Sequence, residues 1–287
     1  MIWSDFVQQQ HSVCGFDSSE SWVILSPIEM SIKQKIESVG TPLKDWDIQI
    51  NYGIKTGYND AFIISTEKRD EILANCATEE ERTRTAELIR PILRGRDIKR
   101  YAYEWANLWL INTHNGVKGK IERIHIEDYP AVKAHLDLYW DKISKRADKG
   151  DTPYNLRNCA YLEDFSKPKI VWGNLNIKAG YALVEDFAFV NAPSPMIVPS
   201  SKYLLAVLNS KIADYYIRLL GVTRNGGYFE YKPMFVEKIP IPKNVDESII
   251  SEIETSIAVK DEVKIDASIY NLYGLNKEEI NFIENKN

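Results

Sequence analysis

The chain has 287 residues, of which 44% are hydrophobic and 27% charged, and a formal net charge of −5; these proportions are ordinary for a globular protein. No apolar run approaches the roughly 18 residues that span a membrane, and the N-terminus lacks the pattern of a signal peptide. Cys14, Cys76 and Cys159 are too few and too scattered for a disulfide framework or a zinc site, so we expect a cytoplasmic protein.

The charge is unevenly distributed along the chain. Residues 51–243 contain 29 Lys and Arg against 24 Asp and Glu, a balance of +5. Residues 1–50 and 244–287 have balances of −4 and −6. A basic middle between acidic ends indicates a face turned toward a polyanion.

The first predicted helix begins after Ser26. This serine is an N-cap, Pro27 occupies the first helical position, and Glu29 completes a capping box. Gly40 ends the helix. Between these signals, apolar residues recur at the spacing of one helix face: Ile28, Ile32, Ile36 and Val39.

Residues 47–65 predict two strands joined by a loop. DIQIN at 47–51 alternates apolar and polar residues, and AFIIS at 61–65 has the composition of a second strand. A donor-rich loop on such a frame can hold side chains against another surface, although an ordinary hairpin loop has the same composition. Between Gly53 and Asn59 we single out these candidate contacts: Lys55, Thr56, Tyr58 and Asn59.

A helix is predicted over residues 78–92, with Thr78 and Glu81 as its capping box. The basic run RGRDIKR at 94–100 follows directly. Arginine side chains match phosphate oxygens and the guanine edge in the major groove, whereas a solvated turn with local ion pairs is the alternative. The candidate contacts here are Arg94, Arg96, Lys99 and Arg100.

Further strands are predicted at 107–113 and 169–175, with a long helix at 129–147 between them. The basic residues near the end of that helix, where they suit its dipole, are predicted to be exposed: Lys142, Lys145 and Arg146. In the second strand, Trp172 and Asn174 are candidate contacts, with core packing as the favoured alternative for Trp172. Residues 181–199 predict a pair of strands.

The strongest predicted helix covers residues 201–220, which carry a wide apolar stripe. A second glycine-rich loop follows, whose donors are either contacts or part of a plain turn: Arg224, Asn225 and Tyr228. The prolines of KIPIP at 238–242 are expected to interrupt strand pairing. The acidic residues 244–287 predict a helical tail.

Four of these segments together resemble the C-terminal specificity region of TaqI- and Eco57I-type adenine-specific DNA methyltransferases. The resemblance extends over nearly the whole chain, from about Trp22 to Glu284. It implies a target recognition domain of a restriction–modification enzyme, including the single-chain enzymes that also cut DNA. The segments that carry it occur in the family's order: GIKTGYNDAF at 53–62, LIRPILRGRDIKRY at 88–101, LLAVLNSKIADYY at 204–216 and KIPIP at 238–242.

The catalytic motifs of that family are not found in the sequence. Adenine methyltransferases of this group need an Asn/Asp-Pro-Pro-aromatic tetrad, and the nearest match, Asn191-Ala192-Pro193-Ser194, lacks the second proline and the aromatic residue. No GxGxxG turn for S-adenosylmethionine occurs either. We therefore expect no catalysis, cofactor or metal in this chain, with S-adenosylmethionine and possibly Mg²⁺ belonging to a separate catalytic part.

Two other functions stay open at this point. A metal-dependent nuclease could use Glu262-Val263-Lys264, although such triplets arise easily in a chain this rich in charge. A protein-interaction module could use the basic middle for an acidic partner. Metal-ligand spacing is absent among the four histidines, His11, His114, His125 and His135.

The sequence as a whole predicts an α+β fold with a mixed or antiparallel β core, peripheral helices and a helical C-terminal tail. The predicted organisation is a joint at 1–46, a DNA target recognition domain at 47–243 and the tail at 244–287. Its partners would be double-stranded DNA and a methyltransferase catalytic domain or subunit, without a membrane.

Overall fold

The structure is a computed structural model that describes residues 25–220 and 223–286. The α-helices are α1 Pro27–Val39, α2 Asn59–Phe62, α3 Thr66–Ala74, α4 Glu79–Leu88, α5 Pro130–Asp137, α6 Trp140–Ile143, α7 Lys202–Asn209, α8 Lys211–Leu220, α9 Pro233–Val236, α10 Glu247–Ala258, α11 Glu262–Leu272 and α12 Lys277–Lys286. The strands are β1 Thr41–Pro42, β2 Gln49–Tyr52, β3 Ile63–Ser65, β4 Ile89–Leu93, β5 Ile98–Lys99, β6 Ala102–Tyr103, β7 Leu108–Ile111, β8 Lys169–Trp172, β9 Leu175–Asn176, β10 Tyr181–Val184, β11 Phe189–Val190, β12 Pro195–Val198, β13 Phe229–Glu230 and β14 Pro240–Ile241.

Two four-stranded sheets form the centre of the molecule. The first has the order β10-β8-β12-β2 and is antiparallel throughout. The second has the order β11-β4-β7-β3, in which β11 and β4 are parallel and the other pairs antiparallel. This mixture of sheets and peripheral helices confirms the predicted α+β fold.

The first sheet lies between two hydrophobic cores. Side chains alternate between the faces of a strand, and in β8 Ile170 and Trp172 enter one core whereas Val171 enters the other. The first core also contains α1, α7, α8 and the tail helices, and the second core contains the second sheet and α5. Both faces are therefore covered, which explains why every residue of β8 is buried.

The C-terminal tail is helical, as its sequence predicts, and it packs on the first core. The Tyr273 hydroxyl donates to the Pro240 carbonyl oxygen at 2.6 Å, and Lys35 of α1 pairs with Glu279 at 2.7 Å. The predicted domain boundaries stay a prediction, and residues 1–24 of the predicted joint lie outside the described residues. None of the helices in the described ranges combines the length and hydropathy of a membrane-spanning segment.

The strands predicted at 47–51 and 61–65 do not pair with each other, so the alternative of an ordinary hairpin loop is wrong. Strand β2 belongs to the first sheet and β3 to the second, so the loop crosses between sheets. Residues 59–62 form the helical turn α2, which buries the consecutive residues Ala61 and Phe62 in the second core. Consecutive buried residues do not fit the period of two that a half-exposed strand requires.

Three predicted helices are shorter than expected. The helix predicted at 78–92 ends at Leu88, and residues 89–93 form β4, where Pro91 lies opposite Trp109. The helix at 129–147 divides into α5 and α6, and the helix at 201–220 breaks at Ser210, whose backbone is extended. Apolar spacing does not separate a short helix from a buried strand, which is the origin of the first error.

Two strand predictions also need correction. Strands β10 and β12 of the region 181–199 do not pair with each other, because β8 lies between them. KIPIP does not exclude pairing, since Pro240 and Ile241 form β14 against β1. Proline is tolerated in this two-stranded sheet because each of its strands is an edge strand.

Candidate nucleic-acid interface

The turn at residues 191–194 joins two of the predicted contact loops. The Ala192 amide donates to the Ile54 carbonyl oxygen at 3.0 Å, and the Gly53 amide donates to the Ser194 carbonyl oxygen at 2.8 Å. On the other side, the Asn191 amide donates to the Leu93 carbonyl oxygen at 2.8 Å. Loops 53–59 and 94–100 therefore leave the two sheets on either side of one turn.

Three adjoining cavities surround this turn, and Ala192 and Pro193 line all of them. We call the combined surface the central groove. All three predicted loops contribute to it. The predicted contact residues with exposed or half-buried side chains that line it are Lys55, Tyr58, Asn59, Arg96, Lys99, Asn174 and Tyr228.

Loop 53–59 is held in place by a buried arginine. Arg146, only 7% exposed, donates hydrogen bonds to four carbonyl oxygens and lies over the Phe62 ring at 4.3 Å from its centroid. Burial lowers the pKa of Arg146 to about 10. The predicted exposure of Arg146 is therefore wrong, because carbonyls from separate segments compensate its buried charge. These acceptors belong to Thr56, Asp148, Pro153 and Asn155.

The four predicted contacts of this loop differ in accessibility. Thr56 is only 2% exposed, and its hydroxyl donates to the Asn59 side-chain oxygen at 2.5 Å, so it shapes the loop instead of facing a ligand. Lys55 and Asn59 are exposed, and Tyr58 is half-buried beside Tyr139 with 6.1 Å between ring centroids. Lys55, Tyr58 and Asn59 stay predictions as contacts.

Loop 94–100 divides its cations between structure and surface. Arg94 donates two side-chain hydrogen bonds to Asp97, at 3.0 and 2.8 Å. Burial by itself raises the pKa of Asp97, but the hydrogen bonds from Arg94 outweigh it and lower the pKa. Arg96 and Lys99 are exposed, and the Arg96 guanidinium has no hydrogen-bond partner in the described part of the chain.

Arg100, the last cation of this loop, is directed to the tail and not to the central groove. Its Nε lies 3.0 Å from a Glu262 oxygen and its Nη2 lies 3.7 Å from an Asp266 oxygen. Burial is the main cause that raises the pKa of Asp266. The prediction of Arg100 as a contact therefore conflicts with its ion pairs, which fix α11 against the basic loop.

The third loop projects beside Asn174. Asn174 is tied to it because the Tyr231 amide donates to the Asn174 carbonyl oxygen at 2.9 Å. Arg224 is paired with the nearly buried Glu230, and the Arg224 amide donates to the Tyr228 carbonyl oxygen at 2.7 Å. Asn225 and Tyr228 are exposed, Tyr228 by 42%.

Sequence reasoning missed two cations of the groove. Arg157 and Lys232 line the same cavity as Lys55 and Asn174. Neither residue stands in a basic run, so composition gives no indication of them.

The proposed nuclease triplet lies in the tail. Glu262 pairs with Arg100, and Lys264 pairs with Glu252 at 3.2 Å. Within residues 25–220 and 223–286, no three His, Cys, Asp or Glu side chains are grouped so that they could hold a metal ion. The described side chains therefore provide no observation in favour of metal-dependent cleavage.

An α+β domain that gathers polar loops of distant sequence around one groove has the features of a recognition domain. The sequence pattern of the TaqI-like C-terminal specificity domain matches residues 90–241. The chain belongs to this family, which confirms the resemblance inferred from its four motifs.

Two curated relatives are similar over 92% of this chain. They are the type II methyltransferase M.PaeR7I of Pseudomonas aeruginosa, 21% identical over 272 residues, and M.XhoI of Xanthomonas vasicola, 20% identical over 271 residues. The matches cover 44% and 47% of those proteins, so the chain spans less than half of their length.

Among solved structures, the chain resembles the type IIL restriction–modification enzyme MmeI, whose structure was determined in complex with DNA. The TM-score is 0.60 at 12% sequence identity, and the match covers 84% of this chain and 35% of MmeI. At this identity the likeness concerns the fold.

Proposed function

We propose that this chain is the DNA sequence-recognition part of a restriction–modification methyltransferase. The main observation in its favour is the central groove. There, side chains that donate hydrogen bonds come from three separate loops and line the surface around the turn at 191–194. Membership of a specificity-domain family supports it, as do the type II methyltransferases among its relatives.

In this function, phosphate contacts and base contacts have different tasks. Lysine and arginine contacts to phosphates set register and supply salt-dependent affinity. Base edges in the major groove are read by donors and acceptors of defined geometry. We assign base reading to the exposed side chains nearest the turn. Arg96 is the first candidate because it lines the groove and its guanidinium donates no hydrogen bond to another side chain of the described residues.

The chemistry would belong to a separate catalytic domain or subunit. That part would bind S-adenosylmethionine and receive an adenine extruded from the duplex, and it would bind Mg²⁺ if the parent enzyme also cleaves DNA. Two observations support this division. The chain covers less than half of the length of its relatives, and its sequence lacks the Asn/Asp-Pro-Pro-aromatic tetrad. The recognition chain supplies one side of the DNA clamp.

The test compares two arginines of loop 94–100 in binding to a pool of fluorescent duplexes. We expect Arg96→Ala to weaken binding to the preferred duplexes of the pool by about 1–3 kcal/mol and to relax the sequence preference at one base position. Arg94 is hydrogen-bonded to Asp97, so we expect Arg94→Ala to act chiefly on the stability of the fold and to have a smaller effect on the salt dependence of binding. Arg82→Ala, on the surface of α4, is the control.

The other candidate functions give different results in the same experiment. Unchanged affinity and sequence preference in Arg96→Ala would remove Arg96 from the site. Binding that ignores both sequence and salt would favour a protein-interaction module, and Mg²⁺-dependent cleavage by the chain alone would favour a nuclease.

A further inference from the structure

One cavity of the central groove is lined by cations without a carboxylate among its lining residues. It has a volume of about 680 Å³, and its charged lining residues are Lys55, Arg157 and Lys232. By contrast, the cavity beside Arg100 is lined by three carboxylates and two cations. We propose that the cation-lined cavity is a site for one phosphodiester of the DNA backbone. This inference rests on the proposed function.

The three cations are restrained by carboxylates that lie outside the lining. Asp148 uses one oxygen for Arg157, at 3.0 Å, and the other for Lys55, at 3.5 Å. Glu230 holds Lys232 at 2.7 Å with one oxygen and Arg224 with the other. Two carboxylates, each bridging two cations, therefore hold the positive groups at the cavity.

Each cation keeps hydrogen-bonding capacity for an anion. A guanidinium has five N–H donors, and Arg157 donates one hydrogen bond, to Asp148, among the described residues. Lys55 and Arg157 are about half exposed, so a ligand can reach them. Converging charge-assisted donors from separate segments are what a tetrahedral phosphate group requires.

The charged groups of the lining favour backbone contact over base reading. Gly53, Ala160 and Ala192 present little side chain on one part of the lining, where a sugar–phosphate chain can approach closely, and the larger uncharged side chains are those of Tyr52, Asn158, Tyr161 and Asn174. Base edges need matched donors and acceptors, and the charged groups here are all donors. The exposed candidates for base reading, Arg96 and Lys99, line a neighbouring cavity.

Fluorescence anisotropy of the full chain with a random-sequence duplex, measured across KCl concentrations, tests the site. We expect Arg157→Ala and Lys232→Ala each to weaken binding several-fold and to reduce the salt dependence by about one ion. Asp148→Asn should act in the opposite direction, strengthening binding and steepening the salt dependence, because it removes a competing negative charge beside the site.

Matched controls exist for both residue types. Arg82 is 58% exposed and pairs with Glu79, as Arg157 is 55% exposed and pairs with Asp148. Lys33 on α1 pairs with Glu37 and matches Lys232 in exposure. We expect Arg82→Ala and Lys33→Ala to bind as the unmodified chain does, and thermal unfolding of every variant shows that it is folded.

The opposite signs distinguish a phosphate site from a structural ion pair. Arg157→Ala and Asp148→Asn remove the same ion pair. If that ion pair is purely structural, both variants should change binding affinity in the same direction, and this result would overturn the phosphate site. If Arg157→Ala and Lys232→Ala behave as the controls while Arg96→Ala still weakens binding, the phosphate site is wrong and DNA recognition stands. Failure of the unmodified chain to bind any duplex overturns both proposals.

Discussion

Loops 53–59 and 224–228 both reach the central groove, but they are held in different ways. The first is fixed by backbone hydrogen bonds between Gly53 or Ile54 and residues 190–194, and by buried Arg146. The second is closed on itself by the hydrogen bond from the Arg224 amide to Tyr228, and its side-chain anchor is the ion pair between Arg224 and Glu230.

The glycines of the two loops show the same difference. A Cβ on Gly57 would lie 2.7 Å from the Asp148 carbonyl oxygen, whereas a Cβ on Gly227 would have no neighbour within 4 Å. Loop 53–59 is therefore packed against neighbouring backbone at Gly57, whereas loop 224–228 has open space at Gly227.

The largest expected effect is that of Arg146→Ala. Removing this side chain takes a hydrogen-bond donor from four carbonyl oxygens of three segments, and the hydrogen bonds to Thr56 and Asn155 are fully buried. Asn155 keeps one donor, the Gly150 amide, whereas the Thr56 carbonyl oxygen loses a buried partner. An unsatisfied buried polar group is costly, so we expect the free energy of unfolding to fall by about 3 kcal/mol. Denaturant unfolding measures it.

Arg157→Ala is the control for this prediction. Arg157 lies close to Arg146 in sequence but is about half exposed, and its ion pair with Asp148 is accessible to water. Exposed ion pairs contribute less than about 1 kcal/mol. Equal losses of stability in the two variants would show that Arg146 does not hold the first loop.

The second prediction compares alanine at the two glycines. Both have positive φ, +70° at Gly57 and +77° at Gly227, a conformation that costs a side chain about 1 kcal/mol or more. Gly57→Ala also pushes against backbone and should cost about 2 kcal/mol or more, whereas Gly227→Ala should cost about 1 kcal/mol. Thermal and denaturant unfolding of both variants measure the difference, and equal costs would contradict a clamped first loop.

The sequence predicts local structure well where the determinants are local. The helix after Ser26 has its capping box, with the Ser26 amide donating to Glu29 at 2.8 Å, and Gly40 ends it. The strand predicted at 107–113 is β7, and the tail is helical. Caps and apolar periodicity carry this information within a few residues of the element they define.

What the sequence could not predict depends on contacts between distant segments. Arg146 looks like an exposed residue at a helix end, and its burial depends on Thr56, 90 positions away. Arg100 looks like a surface cation, and its partner Glu262 lies in the tail. The sequence shows which loops of the site are rich in hydrogen-bond donors. That these loops meet at residues 191–194 follows from the order of the strands in the sheets, which the sequence does not give.

The smallest expected effect is a pH dependence of stability, which distinguishes the ion pair of Glu230 in the second loop from the hydrogen bonds of Arg146 in the first. Hydrogen bonds from Lys232 and Arg224 lower the pKa of Glu230 below its ordinary value of 4.5. A carboxyl group with a depressed folded-state pKa stabilises the protein above the unfolded pKa, and that contribution is lost as pH falls through the folded value. We therefore expect Glu230→Gln to lower the unfolding temperature at pH 7, with a difference that shrinks as pH falls below 4.5 and is lost once pH is below the depressed folded-state pKa.

Arg146 should behave differently over the same range, because its acceptors are backbone carbonyls and Arg146 itself stays charged below its lowered pKa of about 10. The decrease in unfolding temperature caused by Arg146→Ala should therefore persist at pH values where the decrease caused by Glu230→Gln has vanished. Thermal unfolding of the three proteins across acidic pH measures both quantities. If the decrease in unfolding temperature caused by Glu230→Gln remains constant with pH, the charge of Glu230 does not anchor the second loop.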